Sequence, residues 1–191
     1  MRLILASRSP QRVKLMRDAG FDFDCDPADI DEEAYPRDLS PEQIARWLAR
    51  EKAARVLSRH PQDMILAADT VVALREHLLG KPDDEPHADR MLRQLSGSTH
   101  EVTTGVALLC PARGIEIVDH VTSHVQMRPL TDVEIARYVK SGDWRGKAGG
   151  YGIQDNDPFV TCMQGSVTNV IGLPMERVME LPIADFRLPN E

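Results

Sequence analysis

Cysteine is scarce in this chain of 191 residues: three, at positions 25, 110 and 162, far apart and without a CxxC pair. That spacing excludes a disulfide framework and a zinc site, and fits free thiols in a reducing compartment. Long apolar runs are missing too, since none approaches the ~20 residues that a membrane span needs. The N-terminus has one Arg and only a short apolar stretch, unlike a secretory signal. The expectation is a cytoplasmic protein without a membrane partner. Aromatic residues are 5% of the chain and the formal net charge is -7. Both argue against a nucleic-acid partner, which needs basic groups and stacking platforms. The P-loop pattern GxxxxGK[ST], HExxH and GxSxG are absent, which excludes three common catalytic signatures. The six histidines offer no triad spacing. His120 and His124 share one strand face but lack a third ligand.

What remains is ordinary globular material, 42% hydrophobic and 28% charged, long enough to bury a core without staples. Residues 2–6 read as a buried strand. Ser9 then suits a helix N-cap, Pro10 the first helical position and Gly20 the stop. Residues 21–25 alternate like a second strand, and the acidic, Pro-punctuated stretch 26–39 reads as a loop. Ser40, Pro41 and Gln43 form a capping-box pattern for a helix to about residue 58. Strands are expected at 63–74, 77–79, 99–109, 115–127 and 159–163. Helices are expected at 84–95, 131–140 and 174–181, with a loose tail after them. Interleaved helices and strands give an α/β class with a mixed sheet.

Four stretches carry chemistry. In "LILASRSPQRVKLM" a strand runs into a capped helix N-terminus, where free N–H groups favour anions. Ser7 and Ser9 add hydroxyls there, and Arg12 lies one turn in, able to bind phosphate bidentately. The plainer alternative is a simple cap with solvated arginines. In "AADTV" the Asp69 carboxylate sits within an apolar strand, so it needs a cation, a metal or a strand break. In "LGKP" Gly80 and Pro82 hold Lys81 in a stiff turn, or merely expose it. In "KAGGYGIQ" three glycines and Lys147 make a loop able to lie against a ligand. Tyr151 could pack over a base or anchor that loop. Cations at Arg12, Lys52, Lys81 and Lys147 beside carboxylates at Glu32 and Asp69 suit phosphoryl or nucleotidyl hydrolysis. A plain anion site would gain nothing from the carboxylates.

These stretches, with "LSGSTHEVTTGVAL" and "GSVTNVIGLP" in the same order, resemble the Maf family of nucleoside triphosphate pyrophosphatases over residues 2–181. The resemblance implies one two-lobed α/β domain spanning 1–191, with an elongated mixed β-sheet flanked by helices and a central cleft. It implies house-cleaning hydrolysis of a nucleoside triphosphate to the monophosphate and pyrophosphate, with Mg²⁺ or Mn²⁺, and a homodimer. The family's phosphate-binding Ser and Arg fall on Ser7 and Arg12. Its acidic metal ligand falls on Glu32, with Glu33 adjacent, and its helix Lys on Lys52. Its catalytic, metal-holding Asp falls on Asp69, its turn Lys on Lys81 and its late Gln on Gln154. Thr70 and Lys147 complete the substrate-binding set. "ADT" and "KAGGYGIQ" resemble the subgroup acting on dTTP and UTP rather than on 7-methyl-GTP. Gln11, Asp155 and Val167-Thr168 depart from the family's usual residues near the expected base pocket. A regulator of cell division that binds nucleotide without turnover is the alternative from another class.

Overall fold

The structure is a computed structural model and describes residues 1–75, 77–155 and 159–188. Strand β1 (Leu3–Leu5) is wholly buried. It feeds helix α1 (Pro10–Asp18), whose cap is Ser9: its Oγ accepts from the Arg12 N–H. Strand β2 (Asp24–Cys25) follows, then helix α2 (Pro41–Leu57), opened by the full Ser40–Gln43 capping box. Strand β3 (Met64–Leu74) folds back through β4 (His77–Leu79) and leads to helix α3 (Glu85–Leu95). The long hairpin β5 (Thr99–Cys110) and β6 (Ile115–Met127) comes next, then α4 (Asp132–Ser141) and β7 (Val160–Gln164). Two short helices, α5 (Val167–Ile171) and α6 (Met175–Val178), close the chain.

Among the described residues, seven strands form one mixed sheet in the order β2-β1-β3-β5-β6-β7, with β4 on the second half of β3. Only the β2-β1-β3 edge is parallel; the other described pairings are antiparallel. The first half of β3 is covered on both faces. On one, α2 packs Ala49, Ala53 and Val56 against Ile4, Ile65 and Ala67. On the other, Met16, Leu173 and Val178 pack against Leu3, Leu66 and Val106. The second half of β3 enters a separate core, where Val72 and Val102 meet Leu92 and Leu95 of α3 and Ile135 of α4. Asp69 and Thr70 fall between the two cores, which is the two-lobed arrangement with a central cleft.

One close approach fixes the cleft. Gly105 pairs with Asp69 across β3 and β5. A Cβ at Gly105 would lie 2.1 Å from the Ala45 carbonyl oxygen. The missing side chain lets the backbone of α2 rest on the sheet. Lys52, two turns further along the same helix face, then reaches Asp69.

Several expected elements differ. The strand read over 21–25 contracts to Asp24–Cys25, which pair with Ile4 and Leu5 of β1. Phe21 turns into the core and bridges Arg187 instead. The helix read over 174–181 is confined to Met175–Val178, and α5 precedes it; Gly172 and Pro174 separate the two. Valines and isoleucine give α5 the look of strand or loop, but the Ser166 cap starts it, accepting from Asn169 N–H. The tail is held as far as Leu188, whose N–H donates to the Gly20 carbonyl at 2.8 Å. No helix among the described residues is long and apolar enough to cross a membrane.

Candidate active site

Ser7, Arg12, Glu32, Lys52, Asp69, Thr70, Lys81, Lys147 and Gln154 all line one cavity of about 710 Å³. It opens where β1 ends, α1 begins and β3 passes between the cores. The floor is an alternation of acids and bases. Lys52 Nζ, on the buried face of α2, donates to Glu32 Oε1 at 2.6 Å and to Asp69 Oδ1. Lys81 donates to the other Glu32 oxygen. Asp69 is only 6% exposed, so the pairing answers the cost of its burial. Burial acts to raise the Glu32 pKa, but Lys52 and Lys81 outweigh it and hold the carboxyl at about 2. Glu33 stands apart, exposed, with its own N–H donating to Asp31.

The wall at the start of α1 is built for anions. Buried Ser7 accepts from the Ser9 N–H at 3.1 Å and keeps its own proton to give. Arg12 is tied down at Nε by the Gly172 carbonyl, 2.7 Å, and at Nη2 by Thr70 Oγ1, 3.0 Å. Burial pulls its pKa below the ordinary arginine value, against the opposing pull of Asp69 and Glu32; a guanidinium stays charged regardless. Its remaining N–H groups are left for a ligand. Arg8 also lines the cavity, but it is exposed and pairs with Asp29 at 3.3 Å, so of the two arginines of the opening stretch only Arg12 is tied to β3.

The opposite wall is the Gly-rich loop. Lys147 donates to Asp155, and the other Asp155 oxygen accepts from Tyr138 Oη at 2.5 Å. Burial, then this carboxylate, holds the Tyr138 phenol well above its usual pKa. Tyr151 anchors the loop rather than stacking freely: it is 5% exposed and its Oη meets His100 Nε2 at 2.5 Å. Arg145, stacked 4.8 Å from the Trp144 ring centre, also faces the cavity. Gln154 sits exposed at the rim.

Glu32 and Asp69 converge on one point, marked by the Lys52 ammonium. Among the described residues no third His, Cys, Asp or Glu joins them to complete a metal cluster. Two carboxylates suit a Mg²⁺-type ion that takes its remaining oxygens from phosphates and water. His120 and His124 form no such cluster; His124 faces Glu101 at 3.3 Å. The His100–Tyr151 anchor leaves no trace in the sequence pattern, and Asp155 shows there only as an unusual residue, not as the partner of Lys147.

Comparison with known proteins places the chain. A family model for Maf-like protein matches residues 2–182. A dTTP/UTP pyrophosphatase of Koribacter versatilis is 45% identical over 182 residues, covering 95% of this chain and 93% of that one. Another, of Hyphomonas neptunium, is 47% identical over 181 residues, covering 94% and 93%. A third, of Anaeromyxobacter dehalogenans, is 44% identical over 194 residues, covering 100% and 97%. Among solved structures, a dITP/XTP pyrophosphatase from Mycobacterium abscessus aligns over 94% of this chain and 93% of its own. Its TM-score is 0.46 at 18% identity, too distant to bear on the chemistry here. By a match that leaves out only the first residue and the last nine, the chain belongs to the Maf family.

Proposed function

We propose that this protein hydrolyses nucleoside triphosphates, dTTP and UTP foremost, to the monophosphate and pyrophosphate. The observation that carries the reading is the joined cluster Glu32–Lys52–Asp69 with Lys81, set in the same cavity as Ser7 and Arg12. A site that only held phosphate would be weakened by two carboxylates; a site that cleaves it can use them. The base preference is supported by the names of the relatives.

In this mechanism Arg12, Lys52 and Lys81 neutralise the triphosphate, and Ser7 donates to a phosphate oxygen. Asp69 orients the attacking water and accepts its proton as the oxygen bonds to the α-phosphorus. The bond from that phosphorus to the α,β-bridging oxygen breaks, and pyrophosphate leaves with its developing charge held by the two lysines. A divalent ion held by Glu32 and Asp69 would add Lewis-acid neutralisation of the phosphates. Lys147 and Gln154, on the far wall, face the nucleoside.

The test is pyrophosphate release from a panel of triphosphates, 7-methyl-GTP included, with Mg²⁺ or Mn²⁺. Asp69→Asn is expected to lower kcat by about 10²–10⁴-fold, the range of a lost general base. Full activity in the D69N variant would refute the assignment. Nucleotide binding without any turnover would instead favour the regulator.

A further inference from the structure

The geometry points to Thr104, buried in β5 and outside the cavity lining, as a positioning residue that holds Arg12 through a one-way chain of hydroxyls. The inference deepens the reading of Arg12 as a phosphate-binding group and rests on it. The direction of every proton follows from the partners. Thr104 Oγ1 lies 3.0 Å from the Asn169 carbonyl oxygen, which can only accept, so Thr104 gives its single proton there. In its 2.8 Å contact with Thr70 Oγ1, Thr104 must therefore accept and Thr70 must donate. Thr70, its proton committed, meets Arg12 Nη2 at 3.0 Å as the acceptor, which is the only partner a guanidinium takes. The order is Arg12 to Thr70 to Thr104 to Asn169, a cation at one end and a carbonyl at the other. Such chains strengthen each link by polarisation.

Both ends are fixed. Asn169 is fully buried, and its Nδ2 donates to the Val102 carbonyl and to Ser123 Oγ, each at 2.9 Å. Arg12 Nε is held by the Gly172 carbonyl, on the turn that ends α5. Helix α5 thus grips Arg12 twice, once directly and once across the sheet through two threonines. Thr104 itself is 0% exposed and does not line the cavity. It also follows that Thr70 has no proton left for a phosphate oxygen. Its part in binding is to aim Arg12.

Thr104→Val keeps the shape and removes the hydroxyl; Thr104→Ser keeps the hydroxyl. With dTTP and with UTP, Thr104→Val is expected to raise KM about tenfold by the same factor for both, with kcat within about twofold, the pattern of lost uniform binding. Thr104→Ser is expected to restore KM. An unchanged KM in the Val variant, a Ser variant as impaired as Val, or an effect confined to one base overturns the proposal. Should Thr104→Val not fold, Thr104→Cys, a poor donor of similar size, takes its place. A readout independent of turnover separates this idea from the proposed activity. In the ligand-free protein, exchange of the Arg12 guanidinium protons with water, followed by ¹⁵N NMR, should quicken in the Val variant and not in the Ser variant. Equal exchange in all three proteins sinks the relay even if hydrolysis is seen. Quickened exchange upholds it even if the wild-type protein hydrolyses nothing.

Discussion

At the scale of single residues, burial and charge pairing decide what each titrating group does. His100 is 3% exposed, and burial holds its pKa down at about 4. In the unfolded chain it would titrate near ~6.5. Between those values the unfolded state binds the extra proton, so stability is fully present above about pH 6.5 and falls as the pH drops toward 4. Urea unfolding from about pH 7 to about pH 4 should show the wild type losing on the order of 3 kcal/mol more than His100→Gln, which does not titrate. Equal losses would mean that the imidazole is not the group responsible. Glu32 works in a lower window: its contribution holds above about pH 4.5 and is lost as pH falls toward 2. Asp69 was legible from sequence, because a carboxylate in an apolar strand demands a partner. Thr104 was not, because a threonine in a strand is what β-propensity alone would supply. His100 was hidden for a related reason: its partner Tyr151 lies 51 residues away.

At the scale of elements, the contact of α2 with the sheet sets the site. The Ala45 backbone occupies the space a side chain at position 105 would need. Gly105→Ala should lower stability by about 1–3 kcal/mol, the usual toll of overpacking. It should also lower kcat, since lifting α2 draws Lys52 away from Asp69. Urea denaturation and pyrophosphate release on the same variant check both halves; a stable, fully active G105A protein would show that α2 has room to spare. Helix starts were the most readable elements, because Ser9, Ser40 and Thr131 cap by a local rule and all three do so here. The α5 helix was unreadable because Val167, Thr168, Val170 and Ile171 are β-branched, and only the Ser166 cap and the surrounding core make it helical.

At the scale of the whole molecule, residues far apart in sequence make one electrostatic unit. Glu32, Lys52, Asp69 and Lys81 come from a loop, a helix, a strand and a turn. No periodicity could place β1 beside β3 across the intervening helices and loops, so the sheet order and the cavity were beyond the sequence except through family resemblance. Chelation of divalent ions should cost at least about 10²-fold in turnover, with recovery on adding Mg²⁺ or Mn²⁺, because an ion held by Glu32 and Asp69 would carry part of the charge that develops on the leaving pyrophosphate. The far-UV circular dichroism should stay unchanged throughout, since the described residues hold no three-ligand cluster on which folding would depend. Full turnover in chelator would assign the whole of the charge neutralisation to Arg12, Lys52 and Lys81.

The strand that carries Asp69 runs without a break through both cores, matched residue for residue to β5 from Ile65–Leu109 to Ala73–Glu101. A molecule joined this way cannot swing open like a book without tearing its own spine. On the function proposed above, larger and smaller nucleobases are accommodated at the margin formed by residues 145–155, while the centre beneath keeps its dimensions. On that proposal, variation along the margin retunes which nucleotide is taken and leaves the cleavage step as it was.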